Sequence, residues 1–116
     1  MLLKLALLQG AFYVATGVWP LLDIDSFQLV TGPKIDLWLV RTVGVLVTVI
    51  GAVLLLAWRN RRVTTEIVAL AMGSALGLAG IDLVYALSGR ISSIYLADAA
   101  VEIGLAVLWA YARWRA

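Results

Sequence analysis

The chain has 116 residues, of which 64% are hydrophobic and 14% are charged, and its mean hydropathy is +1.03. Soluble domains are far less apolar, so this composition predicts an integral membrane protein. The sequence contains no cysteine and no histidine, which removes disulfides, thiolate chemistry and the commonest ligands of zinc, copper or haem. We therefore expect no cofactor and no metal site. The net charge of +2 comes from dispersed basic residues, so nucleic-acid binding is discounted.

Four apolar segments have the length of a membrane-spanning helix, which is about 20 residues. We predict helices over residues 2–22, 35–58, 64–87 and 92–112. They would form a single all-α domain over residues 1–116, an antiparallel four-helix transmembrane bundle in the lipid bilayer. The first segment has a competing interpretation as a cleaved signal peptide, since Lys4 precedes its apolar run. The lack of a clear cleavage motif favours its retention as a helix.

The connection after the first long segment predicts a short additional helix. Asp25 stands where an N-cap would be, a semi-apolar segment follows, and Gly32 and Pro33 end it. We place this helix at residues 26–31 in the membrane interface, with its apolar side chains in the headgroup boundary. The alternative is that the segment folds over the bundle as a lid.

The basic residues are distributed unequally between the two ends of the predicted bundle. One end carries Lys4, Arg59, Arg61, Arg62, Arg113 and Arg115, and the other carries Lys34 and Arg90. Short cytoplasmic loops are enriched in Lys and Arg, so both termini are predicted to be cytoplasmic. Tryptophan and tyrosine residues near both ends, Trp109 among them, agree with aromatic belts at the two membrane interfaces.

Glycine recurs at intervals of seven residues in three of the predicted helices. The pairs are Gly10 and Gly17, Gly44 and Gly51, and Gly73 and Gly80. Since seven residues make about two helical turns, the members of each pair lie on one face. In lipid, small residues let helix backbones approach, so we predict that these glycines pack the bundle along a left-handed seam. The alternative is that they widen a central pathway or seat a ligand.

Four charged residues lie well inside the predicted spans, away from the first turn of each helix: Arg41, Asp82, Asp98 and Glu102. From the helical rise, the first three lie about 8 to 10 Å below the outer end, and Glu102 lies about 15 Å below it. A charge that faces lipid is costly, so these side chains should point into the bundle. We predict an ion pair of Arg41 with Asp98 or Glu102. Asp82 would either join this pair or reach outward to the interface.

One arginine cannot neutralise three carboxylates in a low-dielectric site. At least one acid should therefore be protonated near neutral pH or should meet water, a cation or a partner subunit, and Glu102 is the deepest. The remaining hydrogen bonds have four candidate partners: Gln9, Tyr13, Thr42 and Ser74.

Two functional hypotheses from different classes follow from these charges. The first is that the polar cluster binds or transports an ion, a proton or a small polar molecule, in a homo-oligomer because four short helices enclose little space. The second is a structural or accessory membrane subunit, in which the charges fix helix packing or pair with another subunit. An intramembrane enzyme using Asp98 and Glu102 as acid and base is less favoured, since no nucleophile or nucleotide motif accompanies them and no catalytic residue is assigned.

The segment RTVGVLVTVIGAVLL, from Arg41 to Leu55, follows a first helix that ends near Pro20. This layout, with its Arg-x-x-Gly start, resembles that of the uncharacterised, broadly DoxX-like four-helix membrane proteins of bacteria. The resemblance implies four helices in a bacterial inner membrane and carries over no catalytic residue. The small multidrug resistance transporters are similar in size, but their essential acid lies in the first helix, where residues 2–22 contain none.

Overall fold

The computed structural model describes residues 1–32, 37–89 and 91–115 of the chain. These residues form five α-helices and no strand, so the all-α prediction is confirmed. The helices are α1 (Leu2–Leu22), α2 (Ile24–Thr31), α3 (Leu37–Arg59), α4 (Thr65–Leu87) and α5 (Ile94–Arg115). The four long helices are each long and apolar enough to cross a membrane. This result supports a multi-pass membrane protein.

The helix ends fall close to the predicted ones. The first helix spans the predicted residues, but α5 begins at Ile94 instead of residue 92 and continues to Arg115. Asp23 caps α2 in place of Asp25, because its side chain accepts a hydrogen bond from the backbone N–H of Ser26 at 3.1 Å. The predicted start of the second long helix at residue 35 lies outside the described residues, as do Lys34 and Arg90.

The short helix α2 is fastened to the end of α1. Trp19 Nε1 donates a hydrogen bond to Ser26 Oγ at 2.8 Å, and the Trp19 and Phe27 rings meet edge to face with centroids 5.2 Å apart. Helix α2 also contacts α5, while Leu29 and Val30 are exposed. It therefore packs on the bundle and still presents apolar side chains outward. We call this end of the bundle, where α1 and α4 finish and α3 and α5 begin, the α2 end.

Glycines bring the backbones of α1 and α3 together, and this pair has the most extensive interface between helices. Gly17 faces Gly44 and Gly10 faces Gly51, so the two helices run antiparallel. A Cβ atom added at Gly17 would lie 2.5 Å from Thr48 Oγ1 and 2.7 Å from the Gly44 carbonyl oxygen. Such distances leave no room for a side chain, so this approach requires glycine.

At Gly73 and Gly80 the structure departs from the predicted packing. Both residues are exposed, and a Cβ atom added to either would meet nothing within 4 Å. Helix α4 buries its opposite face, which carries Ala71, Ala75 and Ala79, and packs chiefly against α5. The seven-residue spacing thus places Gly73 and Gly80 on one face of α4, but none of the described helices covers that face.

Replacing Gly17 with alanine should lower the free energy of unfolding by about 1–3 kcal/mol, because the added methyl group overlaps Thr48 and the Gly44 backbone. The matched control is Gly73→Ala, which makes the same substitution in open space and should cause no loss. Both can be measured by denaturant titration of the protein in detergent micelles. Equal stability of Gly17→Ala and the original protein would contradict the close approach of α1 and α3.

Candidate polar site inside the bundle

Three acidic side chains enter the bundle from α4 and α5 near the α2 end. Asp82 lies in the last two turns of α4, Asp98 lies in the second turn of α5, and Glu102 follows one turn later. Asp82 and Glu102 are buried, with 5% and 1% of their surfaces exposed, and Asp98 is half-buried. The three acids therefore belong to one pair of helices and occupy neighbouring levels.

Glu102 is held by a hydrogen bond from the other pair of helices. The Tyr13 hydroxyl, on α1, donates to Glu102 Oε2 at 2.6 Å, and both side chains are almost completely buried. Ser74 lies beside the Tyr13 hydroxyl and donates its own hydrogen bond to the Leu70 carbonyl at 2.7 Å. Glu102, the deepest of the three acids, thus has an uncharged hydrogen-bond partner in the Tyr13 hydroxyl.

Asp82 and Asp98 bring two carboxyl groups together between α4 and α5. Asp82 Oδ2 is buried and has no hydrogen-bond partner in the described part of the chain. Asp98 also interacts electrostatically with Glu102. Within residues 1–32, 37–89 and 91–115, no lysine or arginine forms an ion pair with these acids. Asp82 is therefore a buried acid beside another acid, with one oxygen left open.

The predicted ion pair of Arg41 with Asp98 or Glu102 is not formed. Arg41 is exposed, and all three residues lie in the described part of the chain. The reason is the pairing of the helices: α3 packs chiefly against α1 and only sparsely against α4, whereas both acids lie on α5. Arg41 has a depth similar to that of the acids. Helix α3 nevertheless packs against α1 and is rotated so that Arg41 is exposed, which keeps this residue away from the acids.

A second polar layer lies deeper in the bundle, around Gln9. Its Nε2 donates to the Ala71 carbonyl oxygen at 2.9 Å, and its Oε1 accepts a hydrogen bond from Trp109 Nε1 at 2.7 Å. Gln9 and Trp109 are completely buried. One amide therefore joins α1, α4 and α5, with hydrogen bonds at both its nitrogen and its oxygen.

Two parts of this interior differ from what the sequence indicated. Trp109 lies in the core and not in an interfacial aromatic belt, because its indole N–H finds an acceptor in Gln9. Thr42 serves no acid, since its hydroxyl donates to the Trp38 carbonyl on its own helix. Glu102 and Trp109 are separated by about two turns of α5, which places both on one face of the helix. This spacing was the signal in the sequence that Trp109 shares the buried face of Glu102.

Comparisons with protein families, with characterised proteins and with solved structures give no significant match to this chain.

Carboxyl groups can exchange protons and accept hydrogen bonds. No group of three acidic side chains among the described residues is arranged to hold a metal ion. Asp82 and Asp98 instead offer two adjacent carboxyl groups with at least one free acceptor atom. Such a pair can take up a proton, or it can accept hydrogen bonds from a small cation.

Replacing Tyr13 with phenylalanine should lower the free energy of unfolding by about 1–3 kcal/mol, because a buried oxygen of Glu102 loses its hydrogen-bond donor. Tyr111→Phe is the matched control: Tyr111 is exposed and its ring lies under Arg115, a contact that phenylalanine keeps. Its effect should stay within about 0.5 kcal/mol. Equal effects of the two substitutions in detergent-micelle unfolding would show that the bond from Tyr13 to Glu102 adds no stability.

Proposed function

We propose that this chain is a small multi-pass membrane protein that binds a proton or a small cation at Asp82, Asp98 and Glu102, and that this binding serves transport. The observation that carries the proposal is the buried Oδ2 of Asp82, which has no hydrogen-bond partner among the described residues and lies beside a second carboxyl group. Arg41 is left out of the site because its side chain is exposed.

The energetic argument concerns the Asp82 and Asp98 pair. Two ionised carboxylates in contact repel each other, and burial removes the water that would screen them. An uncompensated buried charge costs several kcal/mol, so the pair is stable only when a proton or a cation offsets the charge. We therefore infer that these carboxyl groups bind the proton or cation that neutralises them.

The site favours a small ligand over a divalent metal. Metal ions such as Ca²⁺ take six or more oxygen ligands, whereas the described acids do not form even a three-membered group of metal ligands. Two adjacent carboxyl groups suffice for a shared proton or for a monovalent cation with N–H or O–H donors. Because acids within spans typically lie on proton or ion pathways, we include transport in the proposal.

The second candidate function is structural or accessory. It is favoured by the hydrogen bonds from Tyr13 to Glu102 and from Trp109 to Gln9, which join α1 to α5 and fix the two helix pairs against each other. In this alternative the buried acids set helix register, and the exposed Arg41 pairs with a second copy or with another membrane subunit.

The setting proposed for either function is a bacterial inner membrane with both termini in the cytoplasm. The excess of basic residues at the end opposite the α2 end supports this orientation. The broadly DoxX-like layout of the segment from Arg41 to Leu55 supports the bacterial membrane.

Asp82→Asn separates the two candidate functions. If the pair binds a proton at neutral pH, this variant should take up about one proton fewer per chain when the purified protein is titrated from about pH 8 to about pH 6, a range in which an ordinary exposed carboxyl group takes up none. Its thermal midpoint should be equal or higher, because the repulsion with Asp98 is gone. Glu66→Gln, at an exposed position in the first turn of α4, is the control for loss of a carboxyl group outside the site. Unchanged proton uptake together with a lower thermal midpoint would favour the structural role.

A reporter enzyme fused after Ala116 tests the orientation. We expect activity from a reporter that works only in the cytoplasm and none from one that works only in the periplasm, because the basic residues hold the C-terminal end inside. The same reporters fused within the α2 segment should give the opposite pattern. A periplasmic C-terminus would overturn the proposed orientation and would leave the acid site unaffected.

A further inference from the structure

The acids become more buried with distance from the α2 end. Asp98 is half-buried, Asp82 is 5% exposed, and Glu102 and Tyr13 are each 1% exposed. On α5 this order follows the chain, since Asp98 precedes Glu102 by one turn. Of the three acids, the one nearest the α2 end is therefore the least covered by the described residues.

On the other side of Glu102 the interior is closed. Gln9 and Trp109 are completely buried, and the hydrogen bonds of Gln9 tie α1, α4 and α5 together at one level. Beyond them lies an apolar core made of Leu5, Ala6, Leu54, Val68, Ala71 and Ala112. Among the described residues, no buried polar side chain lies between Gln9 and the start of α1. This apolar segment is about 10 Å long, from the helical rise.

Among the described residues, that segment offers a proton or cation no buried polar side chain. An apolar interior offers neither hydrogen-bond partners nor compensating charge, so transfer of an ion through it is strongly unfavourable. In the Gln9 layer, the amide nitrogen and the amide oxygen each already have a hydrogen-bond partner within the protein. Ligands of the acids must therefore arrive and leave by the side of Asp98.

We infer that the acid site exchanges its proton or small cation with water only from the α2 end, and that the Gln9 and Trp109 layer seals it from the opposite end. This inference rests on the proposed function and names the side that the ligand reaches. In this conformation the site is therefore accessible from the α2 end and closed toward the opposite end. Passage to the other side requires Gln9 to release Trp109 or the Ala71 carbonyl.

Single cysteines test the inference, because the chain has none of its own. Asp98→Cys and Ala79→Cys place a thiol at the open side and at a buried α4 position near the acids, and Ala71→Cys places one in the sealed layer. Each variant is reconstituted in vesicles and treated with a membrane-impermeant thiosulfonate from one side at a time. Asp25→Cys on α2 and Asn60→Cys at the opposite end are exposed and report which side the reagent reaches.

We expect Asp98→Cys and Ala79→Cys to react only from the side that labels Asp25→Cys, at least about tenfold faster than Ala71→Cys, whose thiol is buried in apolar surroundings. Reaction of Ala71→Cys, or of Asp98→Cys from the Asn60 side, would overturn the inference. So would the failure of both Asp98→Cys and Ala79→Cys to react. Ala79→Cys keeps all three acids, so the test survives if Asp98→Cys does not fold.

The cysteine-labelling test and the proton-uptake test of Asp82→Asn can fail independently of each other. Unchanged uptake with the expected labelling would refute ligand binding while leaving the one-sided opening in place. The expected loss of proton uptake in Asp82→Asn, together with labelling from both sides, would keep the binding site and refute the seal.

Discussion

A hydrocarbon surrounding supplies no hydrogen bonds and no drive to bury apolar surface, so helices that meet in it are held by close packing and by internal polar contacts. The chain uses both devices, in different places. Helices α1 and α3 meet backbone to backbone at Gly17 and Gly44. The α1–α3 and α4–α5 pairs are then joined by side chains, through Tyr13 with Glu102 and Gln9 with Trp109.

The difference between glycine packing within one helix pair and side-chain contacts between the two pairs explains where the acidic residues lie. The glycine contact between α1 and α3 leaves no space for side chains, so no polar cavity can form there. Contacts between the two helix pairs are sparser, and the longer polar side chains fill that space. The acids lie on α4 and α5 at this junction, which is also the place where a change in packing between the pairs would alter them most directly.

The two polar layers differ in how completely they are satisfied. Gln9 has hydrogen bonds at both ends of its amide, and such a group specifies one arrangement of helices. Within the described part of the chain, Asp82 has a buried oxygen without a hydrogen-bond partner and a second carboxyl group beside it. The same interior thus leaves one buried oxygen of Asp82 unsatisfied by the described residues while it bonds both ends of the Gln9 amide, and the proposed function is built on that contrast.

The sequence by itself determined the helical class, the four long apolar helices, a short helix at residues 26–31 that in the structure spans Ile24–Thr31, and the presence of acids within the spans. Length and composition suffice for these, because a bilayer fixes the length of a span and penalises charge at every position. Periodicity also placed the members of each glycine pair on one face. These are properties of one helix at a time.

Only the tertiary structure decided which faces meet. Arg41 and Glu102 have compatible depths, yet α3 packs against α1 and leaves Arg41 exposed. Gly73 and Gly80 repeat the spacing of Gly10 and Gly17 but face outward. The bond between Tyr13 and Glu102 joins residues far apart in the chain and depends on how each helix is rotated about its axis. Sequence spacing carries no information about that rotation, because in lipid it is set by the fit between neighbouring helices.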